Sequence, residues 1–367
     1  MAIRKIVVTG GPCGGKTTAL SRIQHDLSHL GYTVLTVPET ATSLISNGVT
    51  PWDCGSTVDY QRCQMRLQRA KELAFEEAAA TMGDRKILIV CDRGMMDNKA
   101  YMLEDDFYRV LEELNMNEME QRENYDAVFH LVTAAKDAEE FYTLENNGAR
   151  IETVEEAAEL DDRFIAAWAG HPHLRVIDNR YGFEGKMRWL MQEITYFLGE
   201  ASPYEIRRKY LVEYPDVAWL ESMPNCNKVE IEQTYLHSNS SHEVRIRRRT
   251  TDGHSMYYLT EKRYVGSRNL MRTQRRISAK DYNTLMSQAD PSLRQIRKTR
   301  YCLACEGQYF EIDLFPCWDD QAIVEIELSK EDTPVFFPAV LRVIREITED
   351  PAYRNAVIAS LPCGATH

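Results

Sequence analysis

Two rhythms of apolar residues divide this chain. In the first half, short apolar and β-branched runs (Ile3 to Thr9, Thr33 to Val37, Lys86 to Cys91, Ala127 to Val132, Leu174 to Ile177) alternate with long segments of helical spacing, such as Lys16 to Leu30, Val58 to Met82 and Glu184 to Leu198. Alternating β and α with continuous apolar strands predicts a parallel sheet covered on both faces, an α/β fold whose ligands gather at the carboxyl ends of the strands. Gly199 and Pro203 punctuate a change of texture, and beyond them the period becomes two. Val244 and Ile246 alternate with Arg245, Arg247 and Arg249; Phe310, Ile312 and Leu314 with Glu311 and Asp313; Val324, Ile326 and Leu328 with Glu325 and Glu327. Each such strand has one apolar and one ionised face.

The expected organisation is a domain over 1–199 and a second over 203–367, an α+β unit built on an antiparallel sheet. At 367 residues the chain exceeds what one core usually organises. Two explanations fit the ionised faces. One is a sheet with a solvated outer side. The other is a barrel or tunnel with a charged interior, in which arginine-rich and carboxylate-rich strands face each other and hold a polyanion, with Mg²⁺ or Mn²⁺ bridging its phosphates.

Charge sharpens this picture. The net charge is −12, which argues against a general nucleic-acid binder, yet His242 to Tyr301 holds fifteen Lys/Arg against five Asp/Glu. No apolar run approaches eighteen residues, and MAIRKIVV reads as a strand, not a signal peptide. Nine scattered cysteines fit a reducing compartment better than a disulfide framework, so a cytoplasmic protein is expected. Cys302-x-x-Cys305 has no second pair to complete a zinc site and lies in strand-like YCLACEG.

The most specific motif is Gly10-Gly11-Pro12-Cys13-Gly14-Gly15-Lys16-Thr17, which matches G-x-x-x-x-G-K-[ST] between a strand and a helix. Its backbone amides and those reaching Thr18 would cradle phosphates at the helix N-terminus; Lys16 would reach the β- and γ-phosphates and Thr17 would offer its hydroxyl to Mg²⁺. Asp92, directly after the third strand, is placed to hold Mg²⁺ or its water. Glu39, after the second strand, would either accept a proton from an attacked hydroxyl or stabilise the first turn of the next helix. In ENNGARIETVEEAAELDDR, Arg150 and Arg163 would fold over the nucleotide if they do not face solvent. Gln61, Gln64 and Gln68 recur at helical spacing, either toward an acceptor or on a surface helix.

Taken together, GGPCGGKTT, VPETAT, DYQRCQ, VCDRGMMD, NNGARIET and HPHLRVIDN resemble a P-loop ATPase family related to nicotinamide-riboside and deoxynucleoside kinases. That resemblance implies a base role for Glu39 and metal and substrate roles for Asp92 and Arg93. EIRRKYLV, IEQTYL, VRIRRR, LTEKR, IRKTRY, FEIDLF and VEIEL resemble, in order, the CYTH domain of adenylate cyclases, thiamine triphosphatases and triphosphate tunnel metalloenzymes. It implies phosphate gripping by Lys209, Arg245, Arg247, Lys262, Lys298 and Arg300, and metal holding or water activation by Glu205, Glu311, Asp313, Glu325 and Glu327. Two departures stand out: the opening Glu-x-Glu-x-Lys reads Glu205-Ile-Arg207-Arg-Lys209, and a mid-barrel Arg-x-Glu-x-Glu reads Arg272-Thr-Gln274-Arg275-Arg276. The domain pair resembles the TRPL translocation defect protein family, which implies guanine-nucleotide and phosphoinositide binding, with peripheral membrane contact.

Two functions remain open. One is an enzyme of Mg²⁺-dependent phosphoryl transfer or NTP hydrolysis on ATP or GTP, whose tunnel takes a triphosphate or another phosphate-rich small molecule. The other is a GTP-binding regulator with little catalysis.

Overall fold

The computed structural model describes residues 3–136, 138, 153–200, 206–238, 242–265, 269–305, 308–328 and 333–361. The chain forms two compact units, Met1–Met191 and Gln192–His367. Arg150 and Glu205 lie outside the described residues.

Unit 1 is built on strands β1 (Arg4–Thr9), β2 (Tyr32–Val37), β3 (Lys86–Asp92), β4 (Ala127–Leu131) and β5 (Leu174–Ile177). They form a parallel sheet in the order β2-β3-β1-β4-β5. Its helices are α1 (Lys16–His29), α2 (Thr40–Ile45), α3 (Thr57–Ala80), α4 (Glu104–Glu113), α5 (Glu118–Glu123) and α6 (Val154–Trp168), and α7 (Gly182–Leu198) runs across the boundary between the units. Ile6 to Val8, Leu88 to Val90 and Val128 to Phe129 are almost fully buried, as strands covered on both faces require. Helix α3 starts where Ser56 accepts from the Asp59 amide, and α6 where Thr153 and Glu156 form a capping box. The register pairs Val8 with Asp92 and Val37 with Cys91, so Glu39, Asp92 and the loop after β1 share one sheet edge.

Unit 2 is an antiparallel sheet of nine strands: β6 (Ile206–Glu213), β7 (Cys226–Tyr235), β8 (His242–Thr251), β9 (His254–Val265), β10 (Asn269–Ile277), β11 (Ile296–Cys305), β12 (Gln308–Leu314), β13 (Gln321–Leu328) and β14 (Val343–Glu346). Helices α8 (Val217–Ser222), α9 (Ala279–Met286) and α10 (Asn355–Ser360) accompany it. The order is β10-β9-β8-β7-β11-β12-β13-β6-β14. The barrel explanation is corrected here: among the described residues no ladder joins β10 to β14. Strand β14 is four residues long and shifts register between Val343 and Arg345, which suits an edge, not a closing strand.

The apolar face packs Tyr210, Val212, Leu303, Phe310, Ile312, Val324 and Ile326 into one core cluster. The ionised face is buried as well, and that decides against a solvated outer side: Arg249 and Asp313 are each 1% exposed and Glu325 is 4% exposed. The cysteines also depart from expectation at one position, since Cys317 is disulfide-bonded. No helix among the described residues is long and apolar enough to cross a membrane.

Candidate functional site

The loop after β1 owes its path to glycine. Gly10 and Gly15 have φ of 142° and 91°, a region side chains avoid, and a Cβ on Gly10 would collide with the Leu131 carbonyl. The loop closes on itself, with the Lys16 ammonium donating to the carbonyls of Gly10 and Gly11 at 3.0 and 3.2 Å. Burial and the nearby Arg93 lower the Lys16 pKa to about 8, against the pull of Glu39, Asp92 and Asp97. Pro12 and Gly14 are buried and Cys13 half-buried, while Thr17 and Thr18 are exposed at the start of α1.

Beneath the loop lies a residue that the sequence reading passed over. Asp161 of α6, fully buried, accepts from the Gly11 amide at 2.8 Å and the Thr133 amide at 3.2 Å, and contacts His130 Nε2 at 2.9 Å and Lys136 Nζ at 3.2 Å. Burial opposes its charge, yet His130 and Lys136 hold its carboxyl well below the usual range. Thr133 donates its hydroxyl to the Pro12 carbonyl at 2.5 Å, and Lys186 ties the Val132 carbonyl to the Asn179 side chain. The sequence did carry a signal: Asp161 sits four residues after Ala157 and seven before Trp168, on the apolar face of α6. Its neighbour Arg163 faces solvent.

Across the sheet edge stand Glu39, Asp92 and Arg93. Arg93, with φ of 67°, donates from Nε to Glu39 Oε1 at 2.7 Å and stacks 4.5 Å over the Phe164 ring. Burial would raise the Glu39 pKa, but Arg93 and Lys16 override it and bring it to about 2. Thr42 donates its hydroxyl to the other Glu39 oxygen at 2.5 Å, and the Glu39 side chain caps no amide of α2. Asp92 goes the other way: burial and the Glu39 charge raise its pKa, and its buried Oδ1 has no hydrogen-bond partner. Gln61, Gln64 and Gln68 are buried, not surface residues. Gln68 donates to the Arg93 carbonyl at 3.5 Å and Gln64 to Asn98 Oδ1 at 2.9 Å. Tyr60 OH, Gln61 Oε1, Gln64 Oε1 and Arg93 Nη1 are buried with no hydrogen-bond partner.

The charged face of unit 2 has two halves. On β11, β12, β13 and β6 the charges are zipped together. Arg300 donates to both Asp313 oxygens at 2.7 Å and pairs with Glu311, Lys298 pairs with Asp313 at 2.5 Å, and Lys209 pairs with Glu325 at 2.8 Å. Arg207 bridges Glu325, at 2.9 Å, and Glu327. Burial pulls Lys298 down to about 8 despite Asp313. Glu325 stays well below its ordinary pKa, because Lys209 and Arg207 outweigh the burial that would raise it. On β8 the register sets three cations opposite neutral residues: Arg245 opposite Tyr235 and Thr260, Arg247 opposite Gln233 and Tyr258, Arg249 opposite Ile231 and Met256; the fourth, Arg248, pairs with Glu232 at 2.6 Å. Lys262 pairs with Glu243 at 3.0 Å.

An AAA domain family model matches residues 5–186. The inorganic triphosphatase of Nitrosomonas europaea is 32% identical over 164 residues, which are 43% of this chain and 99% of that protein. The chain belongs to this inorganic triphosphatase family. A solved inorganic triphosphatase structure is similar with a TM-score of 0.32 and 28% identity, over 44% of this chain and 98% of the other. Thymidylate kinase from Ehrlichia chaffeensis has a TM-score of 0.37 and 16% identity, over 54% of this chain and 100% of the other.

Within this member of the family, the two sites differ in their fitness for a divalent ion. In unit 1 the buried Asp92 Oδ1, without a hydrogen-bond partner, and the Thr17 hydroxyl at the start of α1 are the oxygens that would hold one, and the ion would there neutralise nucleotide phosphates. In unit 2 the donors do not fit. Glu311, Asp313, Glu325 and Glu327 are each engaged by a basic side chain, and no group of three or more His, Cys, Asp or Glu side chains among the described residues is arranged to hold a metal.

Proposed function

We propose that unit 1 is a kinase-like phosphotransferase that takes ATP or GTP with Mg²⁺ and passes a phosphoryl group to an acceptor held beside Glu39 and Arg93, while unit 2 binds a second phosphate-rich small molecule. Nucleotide binding and phosphoryl handling in general are supported by the matched AAA domain and the triphosphatase relative. The observation that carries the transferase reading is the set of unpartnered buried atoms on the α3 face and on Arg93. Each such atom costs about 1–3 kcal/mol unless something completes it, and attack by water alone would leave most of them unmet. A polar acceptor would meet them.

In this reading Lys16 and the loop amides position the nucleotide phosphates and Arg93 orients the acceptor. While Arg93 grips it, Glu39 is a weak base; an acceptor that draws the guanidinium away restores its ability to take a proton. A second reading, a GTP-binding regulator whose unit 2 takes a phosphoinositide headgroup without hydrolysing anything, is favoured by the carboxylates of unit 2 being tied up in ion pairs.

The test is transfer of labelled γ-phosphate from ATP and GTP to nucleosides and nucleotides by the intact chain and by Glu39→Gln. The expected result is acceptor-dependent transfer that falls about 100-fold in the variant, with nucleotide affinity unchanged. Phosphate release indifferent to any acceptor, or an unimpaired Glu39→Gln, contradicts the transferase reading.

A further inference from the structure

Four carboxylates on one strand face, the buried Asp313 and Glu325 and the half-buried Glu311 and Glu327 of β12 and β13, would ordinarily draw a divalent cation, because carboxylates withdrawn from water must be paired or metal-bound. We propose that unit 2 carries its own cation instead: the Arg207 guanidinium, held between Glu325 and Glu327, stands where a divalent ion would otherwise be needed, so a phosphate-rich anion binds this face without metal. This rests on the reading of unit 2 as a polyanion site and deepens it.

The geometry carries the inference. Arg207 presents a planar, permanently charged fork, one prong on Glu325 Oε2 at 2.9 Å and the other on Glu327, while Lys209 takes Glu325 Oε1 at 2.8 Å. Both Asp313 oxygens are occupied by Arg300, with Lys298 sharing one, and Glu311 is held by Arg300 as well. A divalent ion needs several of these oxygens at once. Admitting it would strip the half-buried Arg207 of its two carboxylate partners and leave its charge uncompensated. Arg245, Arg247 and Arg249 are buried among neutral register neighbours, and the buried Arg245 Nε has no hydrogen-bond partner. Phosphate oxygens, at full charge and with several lone pairs each, are the ligand chemistry that such a row accepts.

The experiment titrates tripolyphosphate calorimetrically into the full chain carrying Lys16→Ala, which removes the P-loop contribution, in EDTA, in Mg²⁺ and in Mn²⁺. Free ligand is corrected for its own metal complexes. Dissociation constants equal within about twofold across the three conditions are expected. Weakening of about tenfold or more in EDTA overturns the inference while sparing the polyanion reading; no binding in any condition removes both. Arg207→Glu in the same background is expected to lose about tenfold in EDTA and recover in Mn²⁺. If it binds in EDTA as its parent does, Arg207 is not the resident cation. The EDTA comparison needs no change in unit 2, so it decides even if Arg207→Glu does not fold.

Discussion

The loop after β1 and the charged face of unit 2, the two regions proposed to take phosphate, are built by opposite means. The loop relies on backbone amides and a helix end, partial charges that need no counter-ion in the free protein, plus one lysine whose ammonium rests on two carbonyls. Unit 2 relies on whole side-chain charges buried in a sheet, and these must be balanced within the protein before any ligand arrives. Hence the loop is supported from beneath by one carboxylate, Asp161, whereas unit 2 needs a lattice of ion pairs. In the loop, recognition and stability reside in different atoms. In unit 2, under the proposed reading, the same arginines and lysines would serve both.

The largest expected effect tests that last difference. Arg300→Met should destabilise the chain by about 3–5 kcal/mol in urea unfolding, because Asp313 and Glu311 are left buried with Lys298 as the remaining pair on β11. Arg245→Met, among Tyr235 and Thr260, should cost less than half as much. Equal losses would show that the two halves of the face are not electrostatically distinct. In the loop the two properties should separate. Lys16→Met should weaken ATP or GTP binding by about 100-fold or more in calorimetry while leaving thermal stability unchanged or raised, since burial already disfavours the ammonium. A matching drop in melting temperature would mean that Lys16 is a structural residue.

How much of this was legible in the chain follows from where each signal resides. The loop and the acid after β3 were readable because backbone shape demands glycine at Gly10 and Gly15, and a run such as KILIVC fixes where Asp92 emerges. The alternation on β8, β12 and β13 gave the two-faced strands, but not the burial of both faces. That depends on how the sheet curls, which no local pattern encodes. Nor was closure legible, since the short, shifted β14 lies far from β10 in sequence. Asp161 is obscured in the sequence by the charged residues around it on α6, although its position on an apolar helix face marks it. Arg207 stands out in the sequence as a departure, but its ion pairs follow only from the register that sets it opposite Glu327 and two residue pairs from Glu325.

The smallest effect is a pH dependence that the two regions should not share. Lys16, with its pKa near 8, loses its charge as the pH rises, under the joint influence of Arg93, Glu39, Asp92 and Asp97. Bound phosphates would hold the proton on, so nucleotide affinity should fall about tenfold between pH 8 and 9.5, where the triphosphate itself no longer titrates. Stability should respond with the opposite sign. The unfolded lysine, with its ordinary value of 10.5, binds more protons than the folded one, so the Lys16 contribution favours folding increasingly from about pH 8 to 10.5. Among the described residues of unit 2, Lys298 shares this low value, and its charge is spent on Asp313, whereas the β8 row is built of arginine, a side chain type that does not titrate over this interval. Tripolyphosphate affinity measured in the Lys16→Ala background should therefore change by less than about threefold over the same interval. A steep fall there would place Lys298, not the arginine row of β8, at the centre of anion binding.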